Sequence, residues 1–315
     1  MRPAPASMPA SAARRRYSPR RIRKGLILLT FLLPGLIYYI VFHYAPMYGI
    51  IIAFKDYNPF VGLADSPWVG FKHFISFFDS LYFGRLLKNT FLLSFLNIIF
   101  SFPMPIIFAL LLYEVQGKRF RSAVQSISYF PYFISTVVLC GLIKSYLSPS
   151  TGLINAIIST LGGTPIDFLH DPGWFRPVYI ISGIWQGMGW NSIIYYATLT
   201  SVDTSLYEAA EIDGASRIQR VWYISIPSLV PTIVTLLIMN LGNMMNIGFE
   251  KVLLLYNSST YEVADIISTY VYRAGLIDLQ YSFAAAVGFF NSLIGIVLII
   301  IFNGVAKKIA GTALW

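Results

Sequence analysis

Apolar residues run along this chain in long charge-free blocks, not in the alternating or three-to-four-residue stripes of a water-soluble fold. Six such blocks are Gly25–Phe42, Asn89–Tyr113, Ser122–Ile143, Pro177–Val202, Val221–Phe249 and Leu279–Ala306. Their lengths suit the ~20 apolar residues that span a bilayer as a helix. The pattern predicts an all-α membrane protein with six transmembrane helices, at about residues 25–44, 86–113, 122–147, 176–202, 222–249 and 280–306. A seventh block, Ser145–Ile166, contains Pro149, Gly152, Gly162, Gly163 and Pro165. It reads as a loop with a short surface helix, because irregular backbone facing lipid would leave peptide groups unpaired.

Composition agrees with lipid as the solvent. The chain has 315 residues, 56% hydrophobic and 12% charged, against about 25% charged in soluble domains. The single Cys140 lies in an apolar block and implies neither a disulfide framework nor a metal cluster. The first block is longer than a signal-peptide core and is followed by no small-residue cleavage site, so it reads as an uncleaved helix.

The net charge of +9 raises nucleic acid as a partner, but its distribution points elsewhere. Eight of the 23 basic residues fall in the first 24 positions. If that end is cytoplasmic, alternation puts Lys118, Arg119, Arg121, Arg217, Arg220, Lys307 and Lys308 inside too, leaving eight outside. The positive-inside rule then places both termini in the cytoplasm. Residues 1–24 read as a basic, disordered cytoplasmic tail that sets orientation, with anionic lipid as a second role. Residues 309–315 form a second cytoplasmic tail. Nine of the 14 acidic residues fall in outer loops. Those loops are either a docking face for an extracytoplasmic partner or ordinary solvated charge. The loop Ala45–Arg85, rich in Pro and aromatics, has the composition of an ordered segment.

The inner segment 203–221 is polar and lies between two apolar blocks. Ser205-x-x-Glu208 and Ser216-x-x-Gln219 are capping-box patterns, each marking a helix start. Asp213-Gly214 supplies a turn between them. Two short helices meeting around Gly214 are therefore expected. Ala209, Ala210 and Ala215 are small enough to let another surface approach, and Glu208, Glu211 and Asp213 offer anionic contacts. Pro227 should end the second helix or bend it into the next span. A solvated connector would share these features.

The spacing decides between them. Glu208-Ala209-Ala210, three residues, Gly214, nine residues, then Ile224-Ser225-Ile226-Pro227 resembles the EAA loop of permease subunits in type I ATP-binding-cassette importers, with Ile226 where Leu is usual. The resemblance implies that this segment couples the spans to an ATPase subunit. Leu33-Pro34-Gly35-Leu36-Ile37-Tyr38, Tyr44-Ala45-Pro46-Met47-Tyr48-Gly49, Ala53-Phe54-Lys55-Asp56-Tyr57 and Pro67-Trp68-Val69-Gly70-Phe71 resemble one carbohydrate branch of that family. This branch handles fragments such as rhamnogalacturonan and alginate oligosaccharides. The implied partners are a second permease, an ATPase dimer holding ATP and Mg, and an extracytoplasmic solute-binding protein, all at a bacterial plasma membrane.

Other chemistry lacks support. The only Gly-Lys pair, Gly117-Lys118, has Leu112 where a phosphate-binding loop needs Gly, so the chain itself carries no ATPase motif. The six blocks contain no Asp, Glu, Lys or Arg, which argues against an autonomous ion-driven transporter. Trp185, Gln186, Trp190, Asn191 and Tyr195, with Asn240, Asn243 and Asn246, combine aromatic faces with neutral amides. The three asparagines would share a ~120° arc if the fifth block were one helix. That set suits a sugar, whose ring faces stack and whose hydroxyls pair with amides. Interhelical hydrogen bonding and close packing at Gly187, Gly189 and Gly242 would explain it too. An importer for another solute, or a secondary transporter or scaffold, are the remaining alternatives.

Overall fold

The computed structural model describes the backbone of residues 19–310 and the side-chain surroundings of residues 28–308. Of the expected disordered tail 1–24 and the tail 309–315, residues 1–18 and 311–315 lie outside the described residues; residues 19–24 and 309–310 are helical. The chain divides into two units, one ending at Ile51 and one beginning at Ile52.

In the first unit, helix α1 (Pro19–Tyr39) continues through a wide π turn at Ile40–Tyr44 and a helical turn at Ala45–Met47. The Ala45 N–H reaches back five residues to the Ile40 carbonyl. Pro46 supplies a reason. Proline has no N–H and collides with the carbonyl four residues back, and a wider turn moves that carbonyl aside.

The second unit contains α2 (Lys72–Phe78), α3 (Phe83–Ser101), α4 (Pro103–Glu114), α5 (Lys118–Tyr129), α6 (Thr136–Tyr146), α7 (Leu153–Thr160) and α8 (Pro172–Thr200). It continues with α9 (Thr204–Ile212), α10 (Arg217–Arg220), α11 (Ile226–Gly242), α12 (Phe249–Leu255), α13 (Ile267–Tyr272) and α14 (Tyr281–Ala310). Among the described residues, the one extended pairing is the bridge between Lys55 and Trp68.

Among the described residues, four helical stretches are long and apolar enough to cross a bilayer: Leu28–Phe54, Phe83–Glu114, Arg217–Gly242 and Tyr281–Lys308. A fifth is added if Lys118–Phe133 and Thr136–Tyr146 count as one span. α8 is outside this set although its 29 residues exceed the ~20 a span needs. Its amides, glycines and Trp dilute its hydrophobicity.

Two expected helices are interrupted. The block at 122–147 is a bent pair with a 99° angle, not one rod. After a 3-10 turn at Phe130–Phe133, Ile134 is extended, and the Ser135 hydroxyl caps α6 by accepting from the Val138 N–H. The Gln186 amide on α8 donates to the half-buried Ile134 carbonyl at 2.9 Å.

The block at 222–249 also stops early, at Gly242. A 3-10 turn follows at Met244–Asn246, and Gly248 has φ +42°. The released carbonyls are satisfied from other helices. Ser94 on α3 donates to Met244 O, and Asn291 on α14 donates to Met245 O at 3.2 Å. Broken backbone at membrane depth persists only with such internal partners.

α8 is the central helix, packed against α3, α4, α5 and α11. Toward its start, Phe175, Tyr179 and Ile180 join Leu93, Leu139, Cys140, Ile143, Val252 and Leu255 in one apolar cluster. Toward its end, Tyr195 and Leu199 meet Ala109 and Leu229. Glycine permits the close approaches. A Cβ on Gly189 would lie 2.1 Å from the Ser128 carbonyl on α5, and one on Gly242 would lie 2.6 Å from Ile299 on α14. Small residues at such crossings let dispersion and backbone contact hold helices together in lipid. Outside the helices, the expected order of the segment after the first block is visible from Ile52 on. Phe54 stacks on Trp68 at 5.8 Å, and His73 Nε2 lies 3.1 Å from Lys55 O.

Candidate functional site

Residues chosen for their amide and aromatic character partly converge. Trp190, Asn191 and Tyr195 on α8 and Asn240 on α11 line a cavity of about 690 Å³. Asn97, Ser101 and Pro105 from α3 and α4 complete its polar and bent wall. The spacing Gly183, Trp190, Ile194 follows the three-to-four-residue repeat that keeps one helix face toward the cavity. Trp190 is held from one side by Tyr132, stacked at 4.8 Å and 7°, and from another by Phe133, edge-on at 5.5 Å. A fixed aromatic plate beside several neutral amides suits a polyhydroxylated ligand.

The remaining candidates stand elsewhere. Trp185 lines an apolar pocket with Leu139, Tyr146 and Trp174. Gln186 supports the bend at Ile134. Asn243 caps α11 and donates to Met239 O at 3.1 Å, while Asn246 sits in the 3-10 turn and accepts from Asn291 at 3.1 Å. The shared arc expected for Asn240, Asn243 and Asn246 does not exist, because α11 ends before two of them. Packing explains Gly189 and Gly242, whereas Gly187 meets only the Asn191 amide at 3.1 Å.

Two features escaped the sequence reading. Asn97 and Ser101 are one turn apart in the second block, and the amide criterion applied to the fourth block would have found them. Lys251 was placed beyond the fifth span. With α11 ending at Gly242, the chain turns back and Lys251 packs on α8, 8% exposed. Its Nζ donates to Tyr179 O at 2.8 Å and lies 4.7 Å from that residue's ring centre.

The polar segment 203–221 forms an elbow. α9 is capped by Asp203, whose side chain accepts from the Ser205 N–H at 2.9 Å. The helix thus begins ahead of the expected Ser205 cap. At its other end Gly214 has φ +79°, its N–H donates to Glu211 O at 3.1 Å, and the Ala215 N–H donates to Ala210 O at 2.8 Å. Those paired bonds are a Schellman cap, with Gly214 at its left-handed position. They account for the interval between Ala210 and Gly214. The expected box at Ser216 and Gln219 is complete: Ser216 N–H donates to Gln219 Oε1 at 2.7 Å, and Gln219 N–H donates to Ser216 Oγ at 3.4 Å.

Glu208, Ala209, Asp213 and Gly214 are exposed on the elbow, beside exposed Leu206, Ile212 and Ile218. Ala210, Ala215, Ile224 and Ile226 are half-buried. Pro227 neither ends nor breaks the helix, since a π turn at Val221–Ser225 precedes it and the path Arg217–Gly242 is continuous. Tyr207 of α9 meets Ser225 within that turn, hydroxyl to hydroxyl at 3.0 Å.

Residues 9–311 match the family described as binding-protein-dependent transport system inner membrane component. The chain is 48% identical over 277 residues to the polygalacturonan/rhamnogalacturonan transport system permease protein YteP of Bacillus subtilis (strain 168), covering 88% of this chain and 86% of that protein. It is 45% identical over 285 residues to protein LplB of the same organism, covering 90% and 89%. A crystal structure of a bacterial ABC transporter involved in import of the acidic polysaccharide alginate contains a chain 44% identical, with a TM-score of 0.85 over 92% of this chain and 98% of that one. A second, of a bacterial alginate ABC transporter with alginate pentasaccharide-bound periplasmic protein, gives 43% and 0.86 over 94% and 99%. The chain belongs to the family of inner-membrane permease components of binding-protein-dependent transport systems.

Proposed function

We propose that this permease imports oligosaccharides cut from acidic plant or algal polysaccharides, and that the cavity beside Trp190 is part of their route. The carrying observation is the meeting of Trp190, Asn191, Asn97 and Asn240 around one cavity in a chain of this family. The names of its relatives support the acidic class: polygalacturonan and rhamnogalacturonan for one, alginate for another.

In this reading α8 is a span, and the bent pair α5–α6 is another. Together with the four apolar helices they make six, with both termini in the cytoplasm. A second permease completes the pathway, and an extracytoplasmic binding protein delivers the sugar. ATP and Mg are held by an ATPase dimer, and the elbow at α9–α10 docks on it. Closure of the ATPases moves the elbow as a rigid piece and reorients the spans, a rigid-body switch.

ATPase activity of the co-purified complex in lipid tests this, with binding protein and a panel of acidic and neutral oligosaccharides. Stimulation by pectic or alginate fragments is the expected result. Stimulation by neutral sugars alone removes the acidic class. A permease that purifies without any ATPase removes the role of the elbow.

A further inference from the structure

We propose that Lys251 is a specificity-determining residue of the cavity, offering its ammonium through the gap at Gly183 to a carboxylate on the sugar. The inference rests on the acidic-oligosaccharide reading above.

The geometry begins with the turn-back after α11. Gly248 has φ +42°, and a Cβ there would collide with the Tyr179 hydroxyl, so the backbone of this turn lies directly on Tyr179. Three residues later the Lys251 side chain reaches the same tyrosine from α12. Its ammonium donates to the Tyr179 carbonyl at 2.8 Å and faces the Tyr179 ring at 4.7 Å. An ammonium has three N–H donors. The carbonyl takes one and the ring face can receive another. No carboxylate lies within ion-pair distance of Lys251 among the described residues.

Gly183 also borders the ammonium. A Cβ built there would lie 3.4 Å from Nζ, and Gly183 lines the cavity. Gly183, which borders both the charge and the cavity, has no side chain to screen one from the other. Burying a cation without an anionic partner is costly. A carboxylate entering the cavity at Gly183 would meet that cation.

The surrounding charge favours the same ligand. Arg176 lies two helical turns before Gly183 on the same side of α8 and bonds Asn89, which in turn bonds the Asp265 backbone, where Arg85 and Arg273 are paired. Asp265 is the only fully buried carboxylate among the described residues, against these cations and Lys251. Such an excess attracts anions toward the cavity. The amides of Asn97, Asn191 and Asn240 remain for hydroxyls.

The test uses the complete complex in lipid, with binding protein saturated by either of two sugars of equal length. One is a uronate oligosaccharide, and the other is its carboxyl-reduced counterpart. Lys251→Met removes the charge, while Gly183→Val keeps it and closes the gap. Both should lower uronate import at least tenfold relative to the reduced sugar. Equal loss of both sugars would assign Lys251 a structural role and overturn the proposal. Unchanged preference in both variants would overturn it as well. If the unmodified complex itself shows no preference for uronate, the acidic-oligosaccharide reading fails and takes the proposal with it. That outcome is separable, because it appears before any substitution.

Discussion

Arg220 Nη1 lies 2.9 Å from Glu211 Oε2, an ion pair that bridges the two arms of the elbow across Gly214. Glu211 is 72% exposed and Arg220 17%. Exposed pairs of this kind contribute about 0.2–1 kcal/mol. Glu211 is thus already engaged within the chain, whereas Glu208 has no ion pair among the described residues. Glu208→Gln should lower binding-protein-stimulated transport severalfold, and Glu211→Gln should lower it less. Equal loss in both variants would contradict this division of roles.

Gly214 separates a backbone effect from a surface effect. No heavy atom lies within 4 Å of the space a Cβ would fill, so only its φ of +79° resists substitution. A left-handed residue other than glycine costs about 1–2 kcal/mol, and less for Asn or Asp. Gly214→Asn should leave the elbow folded and transport near normal. Gly214→Asp should also fold, yet uncouple ATP hydrolysis from transport by adding an anion to the docking face. Parallel measurements of ATPase and sugar uptake distinguish them. Full transport by Gly214→Asp would remove the docking face from this position.

Asp265 ties α3 to α13 and the turn that follows it. Its side chain is fully buried, 2.7 Å from Arg273 and 3.6 Å from Arg85, and it accepts from Thr269 at 2.8 Å. Burial works against the Arg273 cation, but the bond to Asp265 outweighs it and holds the guanidinium above its ordinary range. Removing one partner of a buried pair costs about 3–5 kcal/mol. Because both arginines are partly exposed, Asp265→Asn should cost about 3 kcal/mol, near the low end of that range. Thermal unfolding of the solubilised complex would show it as a lowered midpoint.

Burial pushes the Lys251 ammonium down to about 8. The groups facing it are Tyr179 on α8 and Cys140 on α6. The unfolded chain keeps this proton to about pH 10.4. Below pH 8 both states are charged and the full cost of burial is present. From about pH 8 to 10 the unfolded state binds more protons, so this residue's contribution to stability rises with pH. Preference for uronate should fall over the same interval. In Lys251→Met both trends should vanish, as read from unfolding midpoints and paired uptake assays.

Much of the elbow was legible because its rules are local. Gly214, the Ser216–Gln219 box and the turn between them follow from residues within a few positions of each other. The start of α9 was misplaced because Asp203 and Ser205 both suit a cap, and the extended backbone occurs at Asp203. The cavity was half legible: uncharged amides in an apolar block announced Asn191 and Asn240. The end of α11 was not legible. It is supported by Ser94 and Asn291, which lie far away in sequence, and periodicity carries no trace of them. The same holds for the bend at Ile134, supported by Gln186. Lys251 was hidden for the same reason, since a span drawn to residue 249 leaves it outside.

The π turn at Val221–Ser225 has a mechanical corollary. One extra residue in a helix advances everything beyond it by about 100°. The wide turn therefore sets the angle at which the elbow leaves the shaft formed by α11, as a key fixes a crank on its axle. Deleting a single residue there would keep both pieces folded and turn the crank about a quarter of the way round. Force applied to the elbow would then arrive from the wrong direction.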